Sequence, residues 1–245
     1  MPRSARLSEK VQLQMEPDQV RISETYLSIQ GEGIHAGVPT LFIRFAGCPL
    51  RCNWCDTPYA LRAKDGQTRS IKEVVDIARK VTGTAHRICI TGGEPLFQRA
   101  GLMQLVWELC RYGWAIDVET AGAYSLPHGS NFSLVDCWIP DIKCPSSGEE
   151  FRNVYATLGR LRHQDQVKFV IQNAEDYEFA IDVFRRYPTT ATILFSPVFG
   201  AETNLNKTSS LHPQKLVEWI LRDRLPVRLS LQIHKMIWGM DARSV

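Results

Sequence analysis

The sequence predicts an open, TIM-like β/α barrel with parallel strands. Short apolar runs alternate with stretches of helical periodicity along nearly the whole chain, and such alternation packs helices outside a parallel sheet. Glycine-rich and polar stretches follow the ends of those runs, where parallel α/β sheets and barrels keep their active sites. The units are too few for eight complete strand–helix pairs, so the barrel is expected to stay open.

The elements follow in order. A strand is expected over 20–29, with Ile22, Tyr26 and Leu27 among its apolar side chains, running into Gln30-Gly31-Glu32-Gly33. A second strand, 41–45, carries Arg44 in an apolar run. Ser70-Ile71-Lys72-Glu73 has the form of a capping box, and Ile71, Val74, Val75, Ala78 and Val81 fall on one helical face behind it, which predicts a helix over 71–81. A strand over 86–90 ends in Thr91-Gly92-Gly93-Glu94-Pro95. A helix to about Tyr112 turns Leu102, Leu105, Val106 and Leu109 inward and stops at Gly113. Strands over 114–118 and 135–139 run into Glu119-Thr120 and Pro140-Asp141-Ile142-Lys143. A helix over 149–162 and a strand over 167–171 come next, then a helix capped by Asn173 and closed by Pro188. A strand over 192–195, a helix over 213–224 and a last strand over 227–231 complete the chain, ahead of Gln232-Ile233-His234-Lys235. On this topology Gln30, Cys48, Thr91, Glu119, Asp141, Ser196 and Gln232 converge on one mouth.

With 245 residues, 44% hydrophobic and 22% charged, the chain can bury a large core without staples. One domain over 19–245 is expected, behind a flexible polar lead-in over 1–18 that lacks the apolar run of a signal peptide. The net charge of +3, spread along the chain, argues against nucleic acid as partner. No apolar run is long enough to cross a bilayer. Seven cysteines without a secretory segment place the protein in a reducing cytosol.

Cys48-Pro49-Leu50-Arg51-Cys52-Asn53-Trp54-Cys55 sets three thiols at C-x3-C-x2-C spacing, with no fourth cysteine nearby. Three thiolates on a cubane iron–sulfur cluster leave one iron open to bind and polarise a small molecule. A structural zinc site is a competing reading, although it wants four ligands in paired clusters. A disulfide framework fits a long chain with an odd cysteine count poorly. Arg44, if buried, needs an anion, either an internal carboxylate or that of a substrate. The glycines around Glu32 suit a tight turn that projects the carboxylate, or a plain surface turn. Those at 92–93 suit a strand-to-helix turn whose backbone approaches a ligand.

The cysteine loop after an early strand, with Gly-Gly-Glu-Pro after a later one, resembles the radical S-adenosylmethionine superfamily. Within it the chain resembles the 7-carboxy-7-deazaguanine synthases. The resemblance is carried by Ile29-Gln30-Gly31-Glu32-Gly33, Arg44-Phe45-Ala46-Gly47-Cys48, Cys55-Asp56-Thr57, Thr91-Gly92-Gly93-Glu94-Pro95, Glu119-Thr120 and Leu229-Ser230-Leu231-Gln232-Ile233-His234-Lys235. It covers about residues 22–239. It implies a radical SAM core and a carbon–nitrogen lyase. This enzyme contracts the ring of 6-carboxy-5,6,7,8-tetrahydropterin to 7-carboxy-7-deazaguanine with loss of ammonia, on the route to 7-deazapurines such as queuosine.

By that resemblance Cys48, Cys52 and Cys55 hold a [4Fe–4S] cluster whose open iron chelates S-adenosylmethionine. Reductive cleavage of the sulfonium then gives the radical that takes hydrogen from C6 of the pterin and later returns it. Trp54, Asp56, Gly93, Asp141, Ile142 and Lys143 would contact S-adenosylmethionine, and Thr57 would ligate Mg2+. Ile29, Gln30, Gly31, Glu32, Thr91 and Glu119 would meet the pterin, and Arg44 and His234 its carboxylate. A flavodoxin or ferredoxin as electron donor and a homodimer are also implied. Two departures stand out. Asp141-Ile142-Lys143 replaces the Ser-Pro-Lys of some relatives, and the tail runs on to Arg243-Ser244-Val245, where in some relatives a terminal carboxylate enters the site. Cys144 reads as a packed thiol, since a fourth ligand would block the open iron. The alternatives are another radical S-adenosylmethionine enzyme, such as a glycyl-radical activase, and a non-enzymatic iron–sulfur electron carrier.

Overall fold

The structure is a computed structural model that describes residues 18–198, 211–239 and 242–245. Strands β1 (Gln19–Ile29), β2 (Pro39–Phe45) and β3 (Gln67–Ser70) come first. Helix α1 (Ile71–Val81), β4 (Arg87–Gly92), α2 (Arg99–Cys110) and β5 (Ala115–Thr120) follow. A single turn, α3 (Ser130–Ser133), precedes β6 (Cys137–Ile142), β7 (Gln166–Ile171), α4 (Ala174–Arg186) and β8 (Thr192–Pro197). The last described elements are α5 (Pro213–Arg222), β9 (Arg228–Leu229) and α6 (Ile233–Trp238). These strands form one sheet in the order β3-β1-β2-β4-β5-β6-β7-β8-β9. Every pairing from β2 to β9 is parallel. β3 and β9 are the two free ends of that order, so the barrel is open, as the sequence predicts.

Strand β1 departs from the parallel expectation. It runs antiparallel to β2, with Ile29 opposite Pro39, and antiparallel to β3. The cause is the length of the 30–38 connection, since a parallel return needs a crossover of about a dozen residues or more. Residues 30–38 therefore lie at the N-terminal ends of the parallel strands, opposite the end expected for Gln30. They are fastened there by Gly33 N–H donating to Ser230 Oγ (2.9 Å), Ile34 N–H to Gln166 Oε1 (2.9 Å) and Ile233 N–H to Gly31 O (3.0 Å).

The strands sort their side chains by period two. Leu41, Ile43 and Phe45 of β2, Ile88 and Ile90 of β4, Ile116 and Val118 of β5, and Val167, Phe169 and Ile171 of β7 are buried against the helices. Phe42, Arg44, Thr91, Glu119, Asp141, Lys168, Val170 and Ser196, on the other face, line the barrel interior. Helix α1 begins on the expected capping box: Ser70 Oγ accepts from Glu73 N–H at 3.2 Å, and the Glu73 carboxylate accepts from Ser70 N–H at 2.7 Å. Helix α2 buries Leu102, Leu105, Val106 and Leu109, at roughly 1.5–3 kcal/mol each. Asn173 Oδ1 accepts from Asp176 N–H at 3.0 Å and starts α4.

The helix expected over 149–162 is instead two 3-10 segments, Glu150–Arg152 and Tyr155–Arg160. Asn153 between them accepts from Lys143 N–H (2.8 Å) and donates to Lys143 O (2.9 Å), while Val154 N–H donates to Gly122 O (2.9 Å). Those bonds tie the segment to the end of β6, and the Val154 N–H goes to Gly122 instead of to the Glu150 carbonyl it would meet in a continuous helix. The last strand shrinks to Arg228–Leu229, and 233–238 is helical. The expected lead-in lies outside the described residues up to position 17. Asp18 is tied in, its carbonyl accepting from Ile71 N–H at 2.7 Å.

Candidate active site

The cysteine loop leaves β2 and folds back on itself. Gly47 N–H donates to Ala60 O (2.7 Å) and Cys48 N–H to Leu61 O (2.9 Å). The turn after β6 holds it from the other side: Asn53 N–H donates to Ser147 O (3.1 Å), Asn53 Nδ2 to Ser146 O (2.9 Å) and Arg51 N–H to Glu149 Oε1 (2.6 Å). Cys48, Cys52 and Cys55 are free thiols that line one cavity. Burial pushes the Cys48 thiol up to about 12 and raises Cys52 and Cys55 too. Opposing that are backbone N–H donors from Leu50 to Cys48 and from Thr57 to Cys55, together with the nearby Lys143 ammonium. N–H donors and a cation stabilise thiolates, which are the form that binds metal. Cys144 is 1% exposed, packs in the core and does not line the cavity.

The cavity measures about 410 Å3. Gln30, Cys48, Thr91, Glu119, Asp141, Ser196 and Gln232 all line it, Gln30 from the opposite end to the one expected. So do Ile29, Gly31, Glu32, Arg44, Trp54, Asp56, Thr57, Gly93, Lys143 and His234. Ile142 does not: alternation turns its side chain outward into the core, where it is fully buried. Gly93 is sterically required, since a Cβ there would strike the Gly47 carbonyl, whereas a Cβ on Gly31 would force the His234 imidazole to move.

Ion pairs organise the lining. Arg44 Nε donates to Glu24 Oε1 (2.6 Å) and its terminal nitrogen to Tyr26 Oη (2.9 Å), so an internal carboxylate meets the guanidinium. Lys143 Nζ lies 2.9 Å from Asp141 Oδ2, and Lys235 Nζ 3.0 Å from Asp56 Oδ2. Lys168 pairs with Glu32, which also accepts from Gln232 Nε2 at 2.8 Å. Burial lifts the Glu119 carboxyl above the ordinary range, reinforced by the charge of Glu32. Glu32 is also buried, yet Lys168 holds it below that range. Glu119 accepts from Thr91 Oγ1 (2.8 Å) and from Gln30 Nε2 (3.2 Å). Asp141 Oδ1 and Ser196 Oγ are buried without a hydrogen-bond partner, on residues that face the cavity. Thr57 Oγ1 donates to Asp56 Oδ1 (2.9 Å) and leaves its lone pairs available.

Several lining residues are absent from the expectations drawn from the sequence. Lys168 is one; Tyr26, Tyr59 and Lys235 are others. The tail, raised by the resemblance, lies there too: Ala242 to Val245 line the cavity, Ser244 Oγ donates to Glu24 Oε2 (2.7 Å) and the Arg243 guanidinium lies 4.0 Å over the Tyr59 ring. Among the described residues, the group of three His, Cys, Asp or Glu donors close enough for a single ion is His35, Asp117 and Cys137, not the loop cysteines. Those three are satisfied otherwise. His35 Nδ1 lies 3.0 Å from Asp117, Arg87 pairs with Asp117 at 2.5 Å and Gln166 Nε2 donates to Cys137 Sγ at 3.2 Å.

The chain matches the Radical SAM superfamily model over residues 42–125. It is 36% identical to the 7-carboxy-7-deazaguanine synthase of Koribacter versatilis, over 92% of this chain and all of that one. It is 38% identical to the 7-carboxy-7-deazaguanine synthase of Methanospirillum hungatei, over 89% of this chain and 85% of that one. The crystal structure of QueE from Escherichia coli superposes with a TM-score of 0.67 at 22% identity, covering 92% of this chain and 97% of the other. The superfamily works with a [4Fe–4S] cluster and S-adenosylmethionine, and three cavity-lining thiols with thiolate-favouring donors fit the first while the unpartnered Asp141 oxygen fits the second. With relatives matched across nearly their whole length and this cavity between them, the chain belongs to the 7-carboxy-7-deazaguanine synthase family of the radical SAM superfamily.

Proposed function

We propose that this protein contracts the ring of 6-carboxy-5,6,7,8-tetrahydropterin to 7-carboxy-7-deazaguanine with release of ammonia, as a radical SAM carbon–nitrogen lyase. The observation that carries the reading is one cavity holding three metal-competent thiols together with Glu32, Glu119, Gln30 and Arg44. Cys48, Cys52 and Cys55 would hold a [4Fe–4S] cluster, which with S-adenosylmethionine supplies a radical that removes and returns a substrate hydrogen. Every other task falls to side chains and backbone. The Gly93 N–H is committed to Phe45 O (2.9 Å), which leaves its carbonyl to accept from the methionyl amine. Asp141 Oδ1, unpartnered, is free to accept from a ribose hydroxyl, and Lys143 keeps the other Asp141 oxygen in place. Trp54 and Asp56 line the same wall.

Glu32, ionised, accepts from the N–H groups of the pterin's pyrimidine edge, and Glu119 presents a second carboxyl there. Thr91 and Gln30 hold Glu119 in position. Arg44 and His234 address the substrate carboxylate. Glu24 and Tyr26 occupy part of the guanidinium fork and orient the rest. Thr57 offers a hydroxyl oxygen to Mg2+, a hard cation that accepts one protein oxygen beside ligand and water oxygens.

The wider reading comprises one catalytic domain over 19–245, a flavodoxin or ferredoxin as reductant, a homodimer and a reducing cytosol. The continuous sheet supports the first. No described helix is long and apolar enough to cross a membrane. An anaerobic assay tests the function. Reconstituted protein is given dithionite, Mg2+, S-adenosylmethionine and the tetrahydropterin, and products are weighed by mass spectrometry. A species with the mass of the pterin minus ammonia is expected. Cleavage of S-adenosylmethionine with the pterin unchanged would overturn the substrate assignment.

A further inference from the structure

Four carboxylates, Glu32, Asp56, Glu119 and Asp141, and three lysines line the same cavity. Lys143 is committed to Asp141, and Lys235 to Asp56 and to Gln232 Oε1 (2.7 Å). Lys168 remains for Glu32. It points inward from β7, its Cα is the register partner of Asp141 on β6, and its ammonium reaches the floor loop to pair with Glu32. A half-buried lysine in a mostly apolar strand costs desolvation that a fixed anion offsets.

We propose that Lys168 is a positioning residue for substrate recognition: its ion pair with Glu32 keeps that carboxylate charged and aimed into the cavity as the acceptor for the N–H groups of a pterin's pyrimidine edge. The inference rests on the function proposed above and adds a residue to it. The groups that face Glu32 make the role necessary. Asp56 and Glu119 repel its charge, Gln232 contributes a neutral donor, and His234 is held below its ordinary range by burial, so it brings little positive charge at neutral pH. Lys235 faces His234 but is already paired. Without Lys168, Glu32 and Glu119 form a buried carboxylate pair, and such pairs retain a proton. A protonated Glu32 offers one acceptor fewer to the substrate.

Equilibrium dialysis tests this anaerobically, using 6-carboxy-5,6,7,8-tetrahydropterin with S-adenosylmethionine present and no reductant, from about pH 5 to 9. Wild type gives the reference affinity at each pH. Lys168→Met should bind about 10- to 100-fold more weakly at neutral pH, the range of a lost charge-assisted hydrogen bond. Its affinity should recover as pH rises and Glu32 ionises, and Lys168→Arg should restore binding. The double variant Glu32→Gln with Lys168→Met leaves no unpaired charge and so folds even where the single variant does not. It should match Glu32→Gln alone within about twofold, because Lys168 acts only through Glu32. Unchanged affinity in Lys168→Met, a loss that is equal at every pH, or a double variant weaker than Glu32→Gln would each overturn the inference. Failure of wild type to bind the pterin would instead remove the proposed function, and the inference with it.

Discussion

Cys137, which opens β6, and Cys144, which follows it, differ from the loop cysteines in what surrounds them, and that difference decides what each can do. Cys137 Sγ accepts from Gln166, and Cys144 Sγ lies 4.0 Å from Ile142 O with its side chain packed in the core. Burial raises Cys144 well above the ordinary thiol range, with Asp176 and Asp141 adding to the shift. It is therefore inert, whereas Cys48, Cys52 and Cys55 face open space. Cys48→Ala, Cys52→Ala and Cys55→Ala should each abolish bound iron and turnover. Cys144→Ala should keep both and lose about 1 kcal/mol of stability. Iron content and absorbance of the reconstituted variants check this, and loss of iron from Cys144→Ala would refute the three-ligand assignment. Strand alternation bears on two other residues. It places Ile142 outward and Lys168 inward, and both follow from the sequence once Asp141 is taken as inward and β6 as the neighbour of β7. The resemblance gives the 141–143 stretch backbone contacts to the cofactor, which an outward Ile142 side chain does not affect. It passed over Lys168 because no motif contains it. An internal partner for Arg44 was one of two readings open in the sequence, and which carboxylate supplies it depends on the antiparallel pairing of Glu24 with Arg44.

Helix α1 forms where the sequence places it because its signals are local: a capping box and an apolar stripe, both within the element. Ser70→Ala removes one arm of the box and should cost about 1 kcal/mol, or a fall of about 2–4 °C in Tm, with activity unchanged. Thermal unfolding checks this, and no change in Tm would mean that tertiary packing alone holds the helix end. The 149–162 stretch fails for the opposite reason. Its helical periodicity is real, but Asn153 and Val154 are claimed by Lys143 and Gly122, partners distant in sequence or fold that no local pattern reveals. The same holds for β3, whose Gln67–Ser70 carries no apolar alternation and is a strand because the edge of β1 offers it backbone partners. The short α6 is fixed from outside as well, through Ile233 N–H on Gly31 O.

At the scale of the whole molecule, the antiparallel entry of β1 gives the barrel two unlike ends. The parallel strands deliver Cys48, Gly93, Glu119 and Asp141 to one end. The hairpin turn of β1 and β2, braced by Ser230, Gln166 and α6, lies across the other. Gln30 reaches from that floor to within hydrogen-bonding distance of Glu119, so the recognition groups proposed for the pterin sit beneath the loop proposed for the cluster. With the hairpin turn laid across the far end, entry past the cysteine loop is expected, and what goes in first comes out last. The pterin is expected to enter before S-adenosylmethionine closes over it, and the contracted product to leave only after the cofactor has moved aside. Initial-rate kinetics with both concentrations varied should show compulsory order, and trapping experiments should find pre-bound pterin committed once S-adenosylmethionine is added. Random order would show that the floor loop opens during turnover. The way the first strand enters the sheet, a matter of nine residues too few for a crossover, thus becomes a queue at the active site.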